Sequence, residues 1–246
     1  EYWVKGKDNT SFDFTGGITG DIPAIPNDVW VNPDTLIGVD EGNVLGNQNN
    51  PFLTIDYAMG MIYPTDDNPI TIHLTAGEFS PSNNNEVFPI LMKSNINLIG
   101  QGKEVTILDA EGNEENPRRV ITMENCENNT ISEITITGGF VEGINILYSQ
   151  GGGVHLSYSS PIMTNVTIKE NTAYYVGGMY LYDSHPILTN VNIKDNIAEQ
   201  SAGVSLFLSN PIFNHVIISG NSADGFGGGM TLKASNPILT NVIISG

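Results

Sequence analysis

Cysteine is nearly absent. Cys126 is the single one in 246 residues, which excludes an intrachain disulfide and a cysteine-based zinc site. Basic residues are scarce too: nine Lys plus Arg stand against 27 Asp plus Glu, for a formal net charge of −18. Such a chain repels phosphate backbones and anionic membrane surfaces, so nucleic acid is not an expected partner. No apolar run reaches the ~18 residues of a spanning helix, so membrane insertion is not expected either. The start, Glu1-Tyr2-Trp3-Val4-Lys5, lacks the basic-then-apolar plan of a signal peptide. What is present is 39% hydrophobic residues with 27 Gly and 13 Pro, and acidic residues scattered along the chain. That is a turn-rich globular composition, not a disordered one.

The C-terminal third repeats itself every 25 to 26 residues. Pro161-Ile162-Met163-Thr164-Asn165-Val166 returns as Pro186-Ile187-Leu188-Thr189-Asn190-Val191, as Pro211-Ile212-Phe213-Asn214-His215-Val216, and as Pro237-Ile238-Leu239-Thr240-Asn241-Val242. Each copy runs into a polar-apolar alternation, an Asn-x-Ala step at Asn171, Asn196 and Asn221, and a glycine cluster such as Gly177-Gly178 or Gly227-Gly228-Gly229. Short alternating runs punctuated by Gly, Asn and Pro are strands and turns, and no segment has the longer 3.6-residue period of a helical repeat. One unit of this size cannot bury its own apolar face, so units stack strand on like strand about 4.8 Å apart. The expected fold is all-β, a single-stranded parallel β-helix, or solenoid. Recurrent positions then form ladders along its axis: Asn165, Asn190 and Asn241 at one corner, with His215 interrupting, and Asn171, Asn196 and Asn221 at another. Buried or half-buried amides need partners, and stacked copies supply them to one another, so these asparagines are expected to be structural.

The coil, Gly-Gly followed by Ser-x-Pro and Asn-Val-x-Ile-x-x-Asn-x-Ala, resembles the repeat of bacterial cell-surface proteins of the right-handed parallel β-helix type, within the pectate-lyase-like superfold. It is also similar to the repeats of polymorphic outer-membrane proteins, although Met179, Val204 and Met230 follow the glycines and Ile162, Ile187 and Ile238 stand where that family has Phe. The resemblance implies a right-handed coil, a small helix plugging the N-terminal end, and an extracellular or bacterial cell-surface setting. The residues offer such a plug: Thr54 is an N-cap in front of a helix with Ile55, Ala58, Met59 and Ile62 on one face. The expected organisation is a linker or upstream tail over residues 1–28 and a β-helix over 29–246, with the cap and irregular first coils in 29–119 and regular coils in 120–246. The sequence stops in mid-coil at Val242-Ile243-Ile244-Ser245-Gly246, so a longer protein is expected, with further coils or another subunit covering the apolar end.

Strand alternation turns Val154, Leu156, Met179, Leu181, Val204, Leu206, Met230 and Leu232 inward. The residues between them face outward in two rows, His155, Tyr180, Ser205, Thr231 and Ser157, Tyr182, Phe207, Lys233. Two readings of Tyr180, Tyr182 and Phe207, with His155 and Lys233 beside them, stand open: a flat platform that stacks on sugar rings, and cross-strand packing of a sheet surface. Enzymes of the superfold act on carbohydrates as lyases, hydrolases and esterases. Here no catalytic set assembles: no second acid accompanies Asp183, the four histidines are out of step with the coil, and Arg118 and Arg119 decorate a polar loop. No cofactor is expected. A calcium ion on Asp109 and Glu111 is the alternative to a solvated acidic loop, without a loop of calcium-binding spacing to support it. The functional expectation is a non-enzymatic stalk, adhesin or glycan-contacting surface. The alternative is a carbohydrate-active enzyme, a lyase, hydrolase or esterase, with part of its site outside this sequence.

Overall fold

The computed structural model describes residues 27–43, 45–143 and 149–246. Of the segment expected as a linker, residues 1–26 lie outside the described residues, and Asp28 opens the strand Asp28–Val31. The described strands form a sheet of 13 strands, one of six and one of four, and every strand pairing within them is parallel. The protein is a right-handed parallel β-helix.

One coil shows how the sequence does this. Met179–Tyr182 lies in the six-stranded sheet, and the chain then turns through Asp183 and Ser184 into Ile187–Thr189. It bends again at Asn190 into Asn192–Lys194, bends at Asp195, and passes through Ile197–Ala198 to the next coil's Val204–Phe207. The repeat copies are in register: Met163 pairs with Leu188, Leu188 with Phe213, and Phe213 with Leu239. Strand alternation sends one side chain in two inward. Val154, Leu156, Met179, Leu181, Val204 and Leu206 are fully buried, as are Leu188, Val191, Ile193, Phe213, Val216 and Ile218. Met230 is only half-buried and Leu232 is exposed, both on the outermost strand of the six-stranded sheet.

Each bend is made by a residue in the left-handed region. Asn165, Asn190, His215 and Asn241 have φ of 54°, 56°, 53° and 53°, and Asp183 and Asp195 have φ of 43° and 55°. Asn and Asp tolerate this conformation better than other non-glycine residues because a short polar side chain bonds locally. That is the reason for asparagine at this corner. The amide-to-amide stacking expected there does not occur: these side chains are half-buried to exposed, Asn165 Nδ2 donates to the Glu133 carboxylate, and Asn241 Nδ2 donates to His215 Nε2 at 3.0 Å.

The second asparagine ladder is internal. Asn196 Oδ1 accepts from Asn171 N and Nδ2, both at 3.0 Å, and Asn221 Oδ1 accepts from Asn196 N and Nδ2 at 3.0 and 2.9 Å. Their amides also donate to strand carbonyls, Asn196 Nδ2 to Ile168 O at 3.1 Å and Asn221 Nδ2 to Ile193 O at 2.9 Å. A serine ladder works the same way. Ser159 N donates to Ser184 Oγ, Ser184 N to Ser209 Oγ and Ser209 N to Ser235 Oγ, while the hydroxyls of Ser184 and Ser209 donate to the carbonyls of Tyr182 and Phe207. The glycine clusters are set by close approach: a Cβ on Gly153 would stand 2.8 Å from both Gly178 O and Asn171 Nδ2.

At the N-terminal side the helix Ile55–Met61 is capped by Thr54, whose side chain accepts from Tyr57 N at 3.1 Å, and Ile55, Ala58, Met59 and Ile62 are buried. A residue from a later loop completes the cap. Glu86 is buried, and its carboxyl accepts from Ile55 N at 2.7 Å, Asp56 N at 3.0 Å and Val87 N at 3.2 Å.

Two outcomes are expected. Asn196→Ala strips partners from Asn171 and Ile168 in a dry corner and lowers stability by about 3 kcal/mol, the cost of stranding buried polar groups. Urea unfolding checks it, and a loss below about 1 kcal/mol would show that the ladder is not structural. Burial pushes the pKa of Glu86 up from 4.5 to about 7, against the lowering effect of its three backbone donors. Between those values the folded state keeps a proton that the unfolded state has lost, so the contribution of Glu86 is full below pH 4.5 and is lost as pH rises towards 7. The loss is on the order of 3 kcal/mol, and Glu86→Gln flattens this part of the stability profile.

Candidate functional site

The turns that close each coil stand up beside the six-stranded sheet and make a groove of its outer face. The groove encloses about 740 Å³ over Ile121–Glu124, Val154–Ser157, Met179–Tyr182, Val204–Phe207 and Met230–Lys233. Its floor has two rows, set by strand register. Thr122, His155, Tyr180, Ser205 and Thr231 are successive partners in one, and Glu124, Ser157, Tyr182, Phe207 and Lys233 in the other. The wall is also a coil repeat. Gln150, Val176, Ser201 and Gly227 bridge one another in parallel, and Tyr175, Gln200 and Phe226 come one residue earlier on their coils.

This shape departs from the flat, exposed platform expected from strand alternation. His155 is only 8% exposed and Tyr180 only 7%, because outward side chains on these coils meet the risen turns. The rings make two separate contacts along the axis, one in each row. His155 lies 5.4 Å from Tyr180 and Tyr182 5.4 Å from Phe207, centroid to centroid, and Lys233 Nζ stands 4.9 Å from the Phe207 centroid. Tyr158, from the adjoining turn, packs edge-on against Tyr182 at 5.2 Å. The polar part of the lining is mainly uncharged: Gln150, Gln200, Ser201, Ser205 and Thr231, with Ser201 Oγ 2.7 Å from Thr231 Oγ1.

One end of the groove carries a second cluster. Arg119 was read from sequence as a loop decoration. It is fixed instead against the sheet edge, with Nε donating to Gly151 O and Nη2 to Gln150 O, both at 2.9 Å, and Nη1 to Thr122 Oγ1 at 3.2 Å. Burial pushes its pKa down to about 10, with Glu124 acting in the other direction. His155 Nδ1 lies 3.3 Å from Gln150 O. A carbonyl only accepts, so Nδ1 carries the proton and Nε2 is an acceptor. Burial, and then the charge of Arg119, push the His155 pKa down to about 4, so the ring is neutral at pH 7.

The remaining sequence candidates are not brought to this groove. Asp109 Oδ1 accepts from Glu111 N at 2.9 Å, and the Glu111 carboxylate accepts from Ser82 N at 3.1 Å and from Ser82 Oγ. Among the described residues no three or more His, Cys, Asp or Glu side chains are grouped to hold a metal. His73 pairs with Asp28 at 2.7 Å and His185 Nδ1 accepts from Asn210 N at 2.9 Å, each on its own part of the surface. Among the described residues no helix is long and apolar enough to cross a membrane.

Coil, corner ladders and sheet order define a protein of the right-handed parallel β-helix class with a pectate-lyase-like fold. The chain belongs to the family described as "Protein of unknown function (DUF1565)", which matches residues 36–245. Solved structures with a similar course include a pectin methylesterase in complex with a hexasaccharide, 10% identical at a TM-score of 0.43, over 79% of this chain and 65% of that one. A second such complex is also 10% identical, at 0.44 over 77% and 65%. Pectin methylesterase PemA from Erwinia chrysanthemi is 10% identical, at 0.40 over 79% and 66%. The present chain thus spans 65% of the length of the first of these. No curated protein matches the sequence.

The covered tyrosine sets an expectation for stability. Tyr180→Ala removes a buried ring packed on His155 and costs about 2–3 kcal/mol, whereas Tyr182→Ala, on the half-buried row, costs about 1 kcal/mol. Equal, negligible costs in chemical denaturation would show that the turns do not cover the first row.

Proposed function

We propose that this β-helix is a glycan-binding module that works outside the cell or at a cell surface, and that its ligand lies along the groove over the six-stranded sheet. The observation that carries this reading is the pair of half-buried rings Tyr182 and Phe207 on one floor row, set in a groove with amide and hydroxyl groups on its wall and floor. Aromatic faces present apolar area to the C–H faces of sugars, while Ser, Thr and Gln offer donors and acceptors to the hydroxyls around the ring. The same geometry supports a stalk or adhesin role, since coils stack into a stiff rod with the proposed binding face on one side.

A second reading, a carbohydrate-active enzyme, has one observation behind it: Glu124, neutral His155 and fixed Arg119 lie together at one end of the groove. A proton acceptor at His155 Nε2, on the strand next to that of Glu124, is a starting point for acid-base chemistry.

Both readings are tested with the same material. Titration calorimetry against a panel of neutral and acidic oligosaccharides is expected to find binding, and Tyr182→Ala with Phe207→Ala is expected to weaken it by tenfold or more, about 1.4 kcal/mol. Incubation of the chain with polysaccharides, with and without calcium, is expected to release no product. Turnover lost in Glu124→Gln would establish the enzymatic reading in its place, and the absence of binding to every sugar would overturn the glycan reading.

A further inference from the structure

We infer that the ligand of this groove is an extended, uncharged polysaccharide, taken one sugar ring per coil. The inference rests on the glycan reading above and adds two features, the charge of the ligand and its register.

Charge comes first. Among the described residues that line the groove, Glu124 and Lys233 are the only side chains charged at pH 7, because His155 is held neutral; the Arg119 guanidinium at one end is outside the lining and is bonded to Gly151 O, Gln150 O and Thr122 Oγ1. They stand at opposite ends of one floor row and cancel. Lys233 is already seated over the Phe207 ring, and the charge of Glu124 acts on Arg119. A polyuronate would lay one carboxylate on each step of this row and meet a single cation. It would also approach a chain of net charge −18, whose field opposes a polyanion. A ligand with hydroxyls alone meets what the groove presents, amides at Gln150 and Gln200 and a hydroxyl at Ser201 on the wall and hydroxyls at Ser205 and Thr231 on the floor, each matched to a group that both donates and accepts.

Register follows from the fold. The floor rows repeat at the spacing of adjacent strands, and from Glu124 to Lys233 the row crosses four such steps, ~19 Å in all. The rise per ring of an extended pyranose chain is close to one strand spacing, so successive rings meet equivalent positions of successive coils. Tyr182 and Phe207 occupy two neighbouring steps and supply stacking faces to two adjacent rings.

The test uses the chain as it stands and linear gluco-, xylo- and manno-oligosaccharides from disaccharide to hexasaccharide, with oligogalacturonates of the same lengths. At low salt at least one neutral series is expected to bind, with affinity rising up to about five rings and then levelling, and with little change when salt is raised. The matched oligogalacturonate is expected to bind at least about tenfold more weakly at low salt. Lys233→Gln is expected to change neutral and oligogalacturonate binding by the same factor, since Lys233 acts through Phe207 and not as a counter-ion. An oligogalacturonate that binds as tightly as every neutral series, or that loses more affinity than the neutral series in Lys233→Gln, overturns the neutral-ligand inference and leaves the glycan reading standing. No binding of either kind overturns both. Affinity that does not depend on length beyond a disaccharide overturns the one-ring-per-coil register.

Discussion

Every feature of this protein depends on one constraint: a coil has no core of its own, so its apolar face and its corner backbone groups must be satisfied by the coils on either side. The fully buried side chains from Leu156 to Ile218 meet that demand inside the tube. The Asn171–Asn196–Asn221 and serine ladders meet it at the corners, where the strand ladder is interrupted and backbone donors would be left dry. Position-by-position repetition is the result, and it reaches the outer surface as well. The same register that aligns Met179 with Val204 inside the coil aligns Tyr182 with Phe207 outside it. The groove is thus a by-product of stacking whose chemistry is free to vary.

Much of the fold was legible in the sequence because stacking demands repetition, and repetition is visible without coordinates. The four Pro-Ile copies, the inward alternation and the Thr54 cap all carry local signals that tertiary context reinforces. The reason for asparagine at Asn165, Asn190 and Asn241 was not legible. A half-exposed left-handed bend and a buried amide ladder select the same residue type, and only backbone angles tell them apart. Glu86 was invisible for another reason: it caps a helix start that lies 31 and 30 residues earlier in sequence, at Ile55 and Asp56.

The site was half legible. Its floor followed from alternation, but its depth did not, since alternation says which way a side chain points and nothing about what rises beside it. The signal for the wall was in the sequence: bulky residues recur just ahead of the glycine clusters at Tyr175, Gln200 and Phe226. They were overshadowed by the glycines, whose part is to let coils approach. Arg119 misled because a polar neighbourhood in sequence does not mean a solvated place in space. Its guanidinium donates to Thr122, on the strand that follows it, and to a turn more than 30 residues away.

The corner ladders also give the rod a mechanical character. Hydrogen bonds between coils run along the axis, so tension on the long axis loads all the bonds of one interface together and successive interfaces in series. Failure then starts at the interface with the fewest bonds and advances one coil at a time, each step releasing about 25 residues of slack, as the recurrent separation of the ladder bonds dictates. A stack built in this way behaves under load as a shock absorber that gives length in small increments, and the coils joined by the internal asparagine ladder are the ones that hold longest.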